Sequence, residues 1–154
     1  MQYPCDGQLP ERSVVWFRAV DVEAPCAAVF RWLCQLRVAP YSYDLIDNFG
    51  RRSPRNLTPG LEELEIGQKF MPFFRLVSFD PEVQITLGLR PRFGPSIVMS
   101  YVAVPADEHR SRLILKAIVS WPRFVLVPLA YIELFLARKQ LKTLAKLAAT
   151  AAQS

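Results

Sequence analysis

The chain has very little of the side-chain chemistry that nucleophilic, metal-dependent or nucleotide-dependent enzymes require. His109 is the only histidine among 154 residues, and no nucleophile lies near it in a polar stretch of sequence. A Ser-His-Asp or Cys-His arrangement would have to use it, and no His and Cys residues occur at metal-ligand spacing. A glycine-rich phosphate loop is also missing. We therefore expect no metal site, no cofactor and no nucleophilic catalysis.

Cysteines and long apolar runs are scarce too. Cys5, Cys26 and Cys34 form no even framework, and a helix would hold the last two about 12 Å apart, too far for a disulfide. The first twelve residues contain no apolar run typical of a signal peptide. The most apolar stretch, 124–132, is interrupted by Pro128 and is far shorter than the roughly 20 residues of a membrane span. We expect reduced thiols and a cytoplasmic protein.

Charge is present but diffuse. The 19 basic and 14 acidic residues give a net charge of +5, and no basic cluster alternates with aromatic residues, so nucleic acid is not an expected partner. A weak contact with an anionic membrane surface stays possible through the basic loop at 51–55 or through the last helix, although solvated basic faces are more common. The sequence does not indicate an oligomeric state.

The remaining composition is that of one globular domain. Hydrophobic residues make up 51% of the chain, and its length allows a sizeable core. We expect a single domain over 1–154, with its core at about 13–150.

Periodicity predicts a strand, then helices, then strands again. Residues 13–22 are rich in β-branched and aromatic side chains, which favours a first strand. Helical spacing of apolar residues predicts a helix over about 25–37, with Pro25 in its first turn, and a second short helix around 43–49. Further strands are predicted at 69–79 (bent at Pro72), 83–89 (with one buried face), 96–104 and 113–119. Short turns between consecutive strands imply an antiparallel meander.

The last predicted element is an amphipathic helix from 128 to about 152. One side of its helical wheel carries the apolar residues Leu134, Ala137, Leu141, Leu144, Leu147 and Ala148. The opposite side carries the basic residues Arg138, Lys139, Lys142 and Lys146. The predicted fold is therefore α+β of the helix-grip type: a curved antiparallel sheet around a long C-terminal helix, with two short helices after the first strand. One helix cannot fill such a sheet, so we expect an apolar cavity between them.

Several motifs resemble the START/polyketide cyclase-like (SRPBCC) superfamily over about residues 13–150. The entry motif is Ala24-Pro25 followed by a helix that carries Val29, Phe30, Trp32 and Leu33. The combination of Tyr41-Ser42-Tyr43-Asp44 with Asp47-Asn48 and Gly50-Arg51-Arg52 is more specific, and it resembles a bacterial branch of that superfamily. The resemblance implies the helix-grip fold and a hydrophobic cavity, but it implies no single reaction.

Three polar residues are candidates for chemistry. Glu133 falls within the apolar arc of the last helix, where burial would raise the pKa of its carboxyl group, so it is the candidate acid/base. A first-turn carboxylate that favours the helix N-terminus is the more common role of such a residue. Arg18 is its natural partner if its side of the first strand is concave, and Tyr43 is a candidate for the lid of the cavity.

Alternation along the strands and the helix predicts the apolar wall of the cavity. The candidate ligand-binding residues are Phe70, Phe74, Leu87, Met99, Tyr101, Leu115, Leu134, Ala137 and Leu141. Each of them is also compatible with ordinary core packing.

Two functions are compatible with this pattern. The favoured one is binding or transport of an apolar small molecule, such as a lipid, an isoprenoid or a polyketide-like compound. The alternative is a cyclase or dehydratase in which Glu133 is the acid/base and Arg18 or Tyr43 orients a carbonyl.

Overall fold

A computed structural model of the chain describes residues 2–8, 13–41, 52–71, 73–89, 96–120 and 123–152, with side chains of the last helix from residue 135 onward. Strand β1 (Val14–Val22) leads into helix α1 (Cys26–Cys34) and a short 3-10 helix (Gln35–Arg37). Five strands follow: β2 (Lys69–Phe70), β3 (Phe74–Asp80), β4 (Gln84–Leu89), β5 (Ser96–Pro105) and β6 (Ser111–Ser120). The last element is helix α2 (Arg123–Ala152).

The strands form one curved antiparallel sheet in the order β1-β6-β5-β4-β3-β2. Helix α2 packs against β1 and against α1, so the sheet and α1 together enclose it. This arrangement confirms the predicted α+β helix-grip fold. Helix α1 packs into the core through its apolar positions, and Trp32 meets Tyr41 edge to face at 6.0 Å.

Two details of the strand prediction were wrong. Residues 69–79 do not form one bent strand, because β2 and β3 are an antiparallel hairpin in which Phe70 pairs with Phe74. Met71 adopts a left-handed backbone with φ of 49°, which lets the chain reverse there. Strand β4 is buried on both faces, and its polar residues are satisfied internally: Thr86 Oγ1 lies 2.9 Å from Gln84 Oε1 and 2.8 Å from Ser100 Oγ.

Helix α2 begins five residues earlier than predicted. It starts at Arg123, so Pro128 lies inside the helix and not at its first position. Proline removes one backbone hydrogen bond, a loss that is best tolerated near a helix end. Within the described part of the chain, no helix combines the length and the hydropathy that a transmembrane span requires. The short helix predicted around 43–49 lies outside the described residues.

The N-terminal residues 2–8 pack on the convex side of the sheet, which the sequence did not predict. Tyr3 meets Phe17 edge to face at 5.7 Å, and buried Cys5 packs against Val98 and Ile118. Asp6 forms an ion pair with Lys116 of β6. This segment covers part of the sheet face that does not contact α2.

Candidate functional site

Cross-strand pairing identifies the residues on the concave face of the sheet, which meets α2. Arg18 lies opposite Leu115, Leu115 opposite Tyr101, and Tyr101 opposite Ile85. Directly paired residues point to the same side of a sheet. Because Leu115, Tyr101 and Ile85 belong to one buried cluster with Leu141 of α2, Arg18 also lies on the concave face.

One half of this concave face is tightly packed. Val22, Leu113 and Ile85 are at most 1% exposed, and they share a cluster with Leu144 and Ala148 near the end of α2. Helix α1 contributes to the same cluster. The buried side chains of this half pack as an ordinary hydrophobic core, so it is not a candidate for ligand binding.

The other half of the concave face is less completely covered. Six apolar side chains here are only half-buried, and they lie where β1, β3 and β5 begin and β4 ends, although Ala117 and Val119 between them are at most 3% exposed. We call this set the open half: Val14, Trp16, Phe74, Leu89, Ile97 and Met99. Partly exposed apolar side chains on the concave side of a sheet are typical of the wall of a ligand pocket.

A polar cluster lies between the packed and the open half. The Tyr101 hydroxyl donates to Gln140 Oε1 at 2.5 Å and lies 3.4 Å from Met99 Sδ. Gln140 Nε2 donates to the carbonyl oxygen of Pro40 at 2.6 Å. Gln140 is only 5% exposed, so this amide joins α2 to β5 and to the segment after α1 from within the core.

Arg18 is the only charged residue that the described strands place on the concave face. Its side chain is half-buried, and Nη1 donates to the backbone oxygen of Phe17 at 2.7 Å. A guanidinium in this position can donate hydrogen bonds to a carbonyl or carboxylate oxygen of a guest molecule.

The described residues offer no metal-binding cluster of His, Cys, Asp and Glu. The cysteines are free thiols, and Cys34, the last residue of α1, is buried. Burial raises the pKa of the Cys34 thiol to about 12, so this group is protonated at neutral pH. The thiol of Cys34 therefore lacks the thiolate form that a nucleophile needs.

The predicted site residues fall into three groups. Six of them are buried in the core. Ala137 is 7% exposed, and the other five are at most 2% exposed: Phe70, Leu87, Tyr101, Leu115 and Leu141. Arg18, Phe74 and Met99 are half-buried and lie on or beside the open half. Tyr43 lies outside the described residues, as do the side chains of Glu133 and Leu134.

Sequence reasoning missed several residues of this region. Trp16 shares a strand face with Arg18, so alternation along β1 was a sufficient signal once the concave face was known. Gln140 is a polar residue at a position of α2 where the helical period predicts burial, between Ala137 and Leu144. A polar residue at such a position is expected to have a hydrogen-bonding partner in the core.

No protein-family model and no curated protein sequence matches the chain, but solved structures do. A Thermobifida fusca protein solved by NMR has a TM-score of 0.61 and 16% identity, with 88% of this chain and 93% of that chain covered. The ZhuI aromatase/cyclase from a Streptomyces species has a TM-score of 0.58 and 16% identity, covering 89% and 94%. Norcoclaurine synthase from Thalictrum flavum has a TM-score of 0.57 and 14% identity, covering 88% and 86%.

These similarities confirm the predicted helix-grip fold. The matches extend over most of this chain and most of each of the three structures. At identities this low, the comparisons establish the fold and leave the activity to be argued from the site.

Proposed function

We propose that the protein binds an apolar small molecule between the open half of the concave face and the first half of α2. One contrast carries the proposal: the apolar side chains of the open half are half-buried, whereas those next to them on the same face are at most 4% exposed. Apolar surface on a concave wall gains free energy when a guest removes it from water, at roughly 25 cal/mol per Å². This surface supports binding, with or without transport.

The solved relatives support an aromatic or polyketide-like guest within this class. One structure of norcoclaurine synthase holds dopamine and hydroxybenzaldehyde, and ZhuI is an aromatase/cyclase. Trp16 offers an aromatic face for a flat ring, and Arg18 offers a hydrogen bond for an oxygen substituent. Lipids and isoprenoids fit the apolar wall equally well.

Filling the open half tests the proposal. The fluorescent apolar probe anilinonaphthalene sulfonate is titrated into the wild-type protein and into Met99→Trp, whose larger side chain occupies the proposed space. We expect the variant to bind the probe at least about 10-fold more weakly, because an excluded ring forfeits its apolar burial.

Val15→Trp is the matched control, since Val15 is 53% exposed on the convex face of β1 and gains the same indole there. We expect probe affinity within about twofold of wild type for this control. Equal affinity of Met99→Trp and wild type, in folded proteins with unchanged circular dichroism, would place the probe elsewhere and contradict the proposal.

A second candidate is catalysis of the cyclase or dehydratase type. The observation that favours it is the position of Arg18 on the concave face, toward the helix that carries Glu133. Glu133 precedes Ala137 by about one turn and Gln140 by about two, which is the spacing of the buried stripe of α2. A carboxyl group and a guanidinium converging on a carbonyl compound could remove and return a proton at the adjacent carbon.

Proton exchange tests this candidate without knowledge of the natural substrate. Acetylnaphthalene is incubated with the protein in D2O, and the loss of its methyl proton signal is followed by NMR. A general base beside Arg18 should accelerate exchange by at least about 100-fold over buffer, and Glu133→Gln should abolish the acceleration. If acetylnaphthalene binds but its protons exchange at the buffer rate, the result would contradict the catalytic function and would still agree with the binding function.

A further inference from the structure

The outer face of α2 carries most of the net positive charge of the protein. Residues 134–152 contain four basic and no acidic residues, whereas the rest of the chain contains 15 basic and 14 acidic ones. The four are Arg138, Lys139, Lys142 and Lys146, and all of them are exposed. The apolar face of the same helix is used in the core, so its outer face offers mainly positive charge to a partner.

An aromatic side chain lies at the N-terminal end of this row of charges, on the same side of the helix. Phe135 is 63% exposed. At about 100° per residue, the four basic residues fall within about 60° of Phe135 around the helix axis. We call Phe135 and the four basic residues the basic stripe. It extends about 17 Å along one side of a regular helix, from residue 135 to residue 146.

We propose that the basic stripe docks the protein on the surface of an anionic lipid bilayer, with Phe135 inserted among the headgroups. Cations near such a surface are attracted to it electrostatically, and a phenyl ring gains by leaving water at the headgroup boundary. A straight row of charges on a helix fits a planar surface. A nucleic-acid duplex offers phosphates to the four cations but no apolar layer to Phe135, so it is the less suitable polyanion.

The basic stripe also lies on the helix that packs against the concave face. Docking through it would hold the proposed ligand site close to a source of apolar molecules. The docking proposal nevertheless stands by itself, because vesicle binding is measured without any ligand.

Co-sedimentation with lipid vesicles tests the docking. The full-length protein is mixed with vesicles of phosphatidylcholine, either pure or with about one third phosphatidylglycerol. We expect binding to the anionic vesicles only, with a marked loss when the salt is raised from about 0.05 M to about 0.5 M, because screening shortens the range of the attraction.

Two variants with a matched control locate the contact. Lys142→Gln/Lys146→Gln should weaken vesicle binding about 30-fold, and Phe135→Ala about 10-fold. The control Arg52→Gln/Arg55→Gln removes the same net charge from exposed positions in a loop, and we expect it to bind within about twofold of wild type. Thermal melts of all variants should match wild type, since exposed substitutions cost little stability.

Three results would overturn the docking proposal. The first is equal binding to neutral and anionic vesicles. The second is an equal loss in the loop control, which would assign the effect to net charge or to a contact through that loop and not to the basic stripe. The third is release of the protein from the anionic vesicles by a DNA duplex at a lower concentration than an unlabelled anionic vesicle needs for the same release. That result would make nucleic acid the preferred partner.

Discussion

At the scale of single residues, Gln140 connects three parts of the molecule through its side-chain amide. Its amide accepts from Tyr101 of β5 and donates to Pro40, while its backbone belongs to α2. Both hydrogen bonds are buried, so water cannot replace either partner when the amide is lost. The cost of removing it therefore includes leaving two polar groups unsatisfied.

We expect Gln140→Leu to lower the free energy of unfolding by about 2–3 kcal/mol. Leucine has a similar size, so the loss reflects missing hydrogen bonds and not a cavity. Chemical denaturation measures it, with Lys142→Leu at an exposed position of the same helix as the control. In a double-mutant cycle with Tyr101→Phe, strictly additive losses would show that the two side chains do not interact.

Asp6 links the N-terminal segment to the convex face in a pH-dependent way. Hydrogen bonds from the Lys116 ammonium and from the Tyr3 backbone lower the pKa of the Asp6 carboxyl. Because the folded-state pKa lies below the unfolded one, the ion pair stabilises the protein above the unfolded pKa, near 4. That contribution is lost as the pH falls through the folded value.

We therefore expect the wild type to lose stability between about pH 5 and pH 3 more steeply than Asp6→Asn. Unfolding by urea at a series of pH values measures both slopes. Asp80→Asn, at an exposed position of β3, is the control and should keep the wild-type slope. If Asp6→Asn and wild type showed parallel pH profiles, the ion pair with Lys116 would contribute nothing to stability.

At the scale of elements, the sheet depends on a close approach between β3 and β4. A Cβ atom on Gly88 would lie 2.8 Å from Cγ2 of Val77, at the irregularity where β3 shifts its register against β4. Such a distance requires one strand to move, because valine is stiff about its first side-chain torsion.

We expect Gly88→Ala to destabilise the protein by about 1–3 kcal/mol through overpacking. Removing the opposing methyl groups in Gly88→Ala/Val77→Ala should recover most of that loss. Val77→Ala alone, at a half-buried position, is the reference. An equal cost of Gly88→Ala in both backgrounds, measured by thermal unfolding, would exclude this contact as the cause.

The same elements show which features a sequence can predict. Strand β1, helix α1 and the amphipathic faces of α2 were predictable, because each has a clear period of two or of 3.6 residues. The reversal at Met71 was not, because it depends on a left-handed backbone at a residue type that rarely adopts one. The burial of Thr86 was hidden for another reason: alternating polar residues predict a solvated face unless their hydrogen-bonding partners are known.

At the scale of the whole molecule, the concave face divides into a packed and an open half. Strand alternation could predict which residues of a strand share a face, but it left open which face of β1, and therefore of Arg18, is concave. Which of them pack tightly could not be predicted, because burial depends on where α1 and α2 lie along the sheet. Leu87 and Met99 are direct cross-strand partners, yet only Leu87 is fully buried.

The most direct test of the central claim uses the three methionines of the chain. The protein is labelled with ¹³C at the methionine methyl groups, and its NMR spectrum is recorded during titration with anilinonaphthalene sulfonate. The ring current of a bound aromatic probe should shift the Met99 methyl signal most, and that of Met71, whose sulfur lies 3.6 Å from Gln140 Nε2, less. A saturating probe that shifts only Met71, or none of the three, would contradict an apolar binding site on the open half.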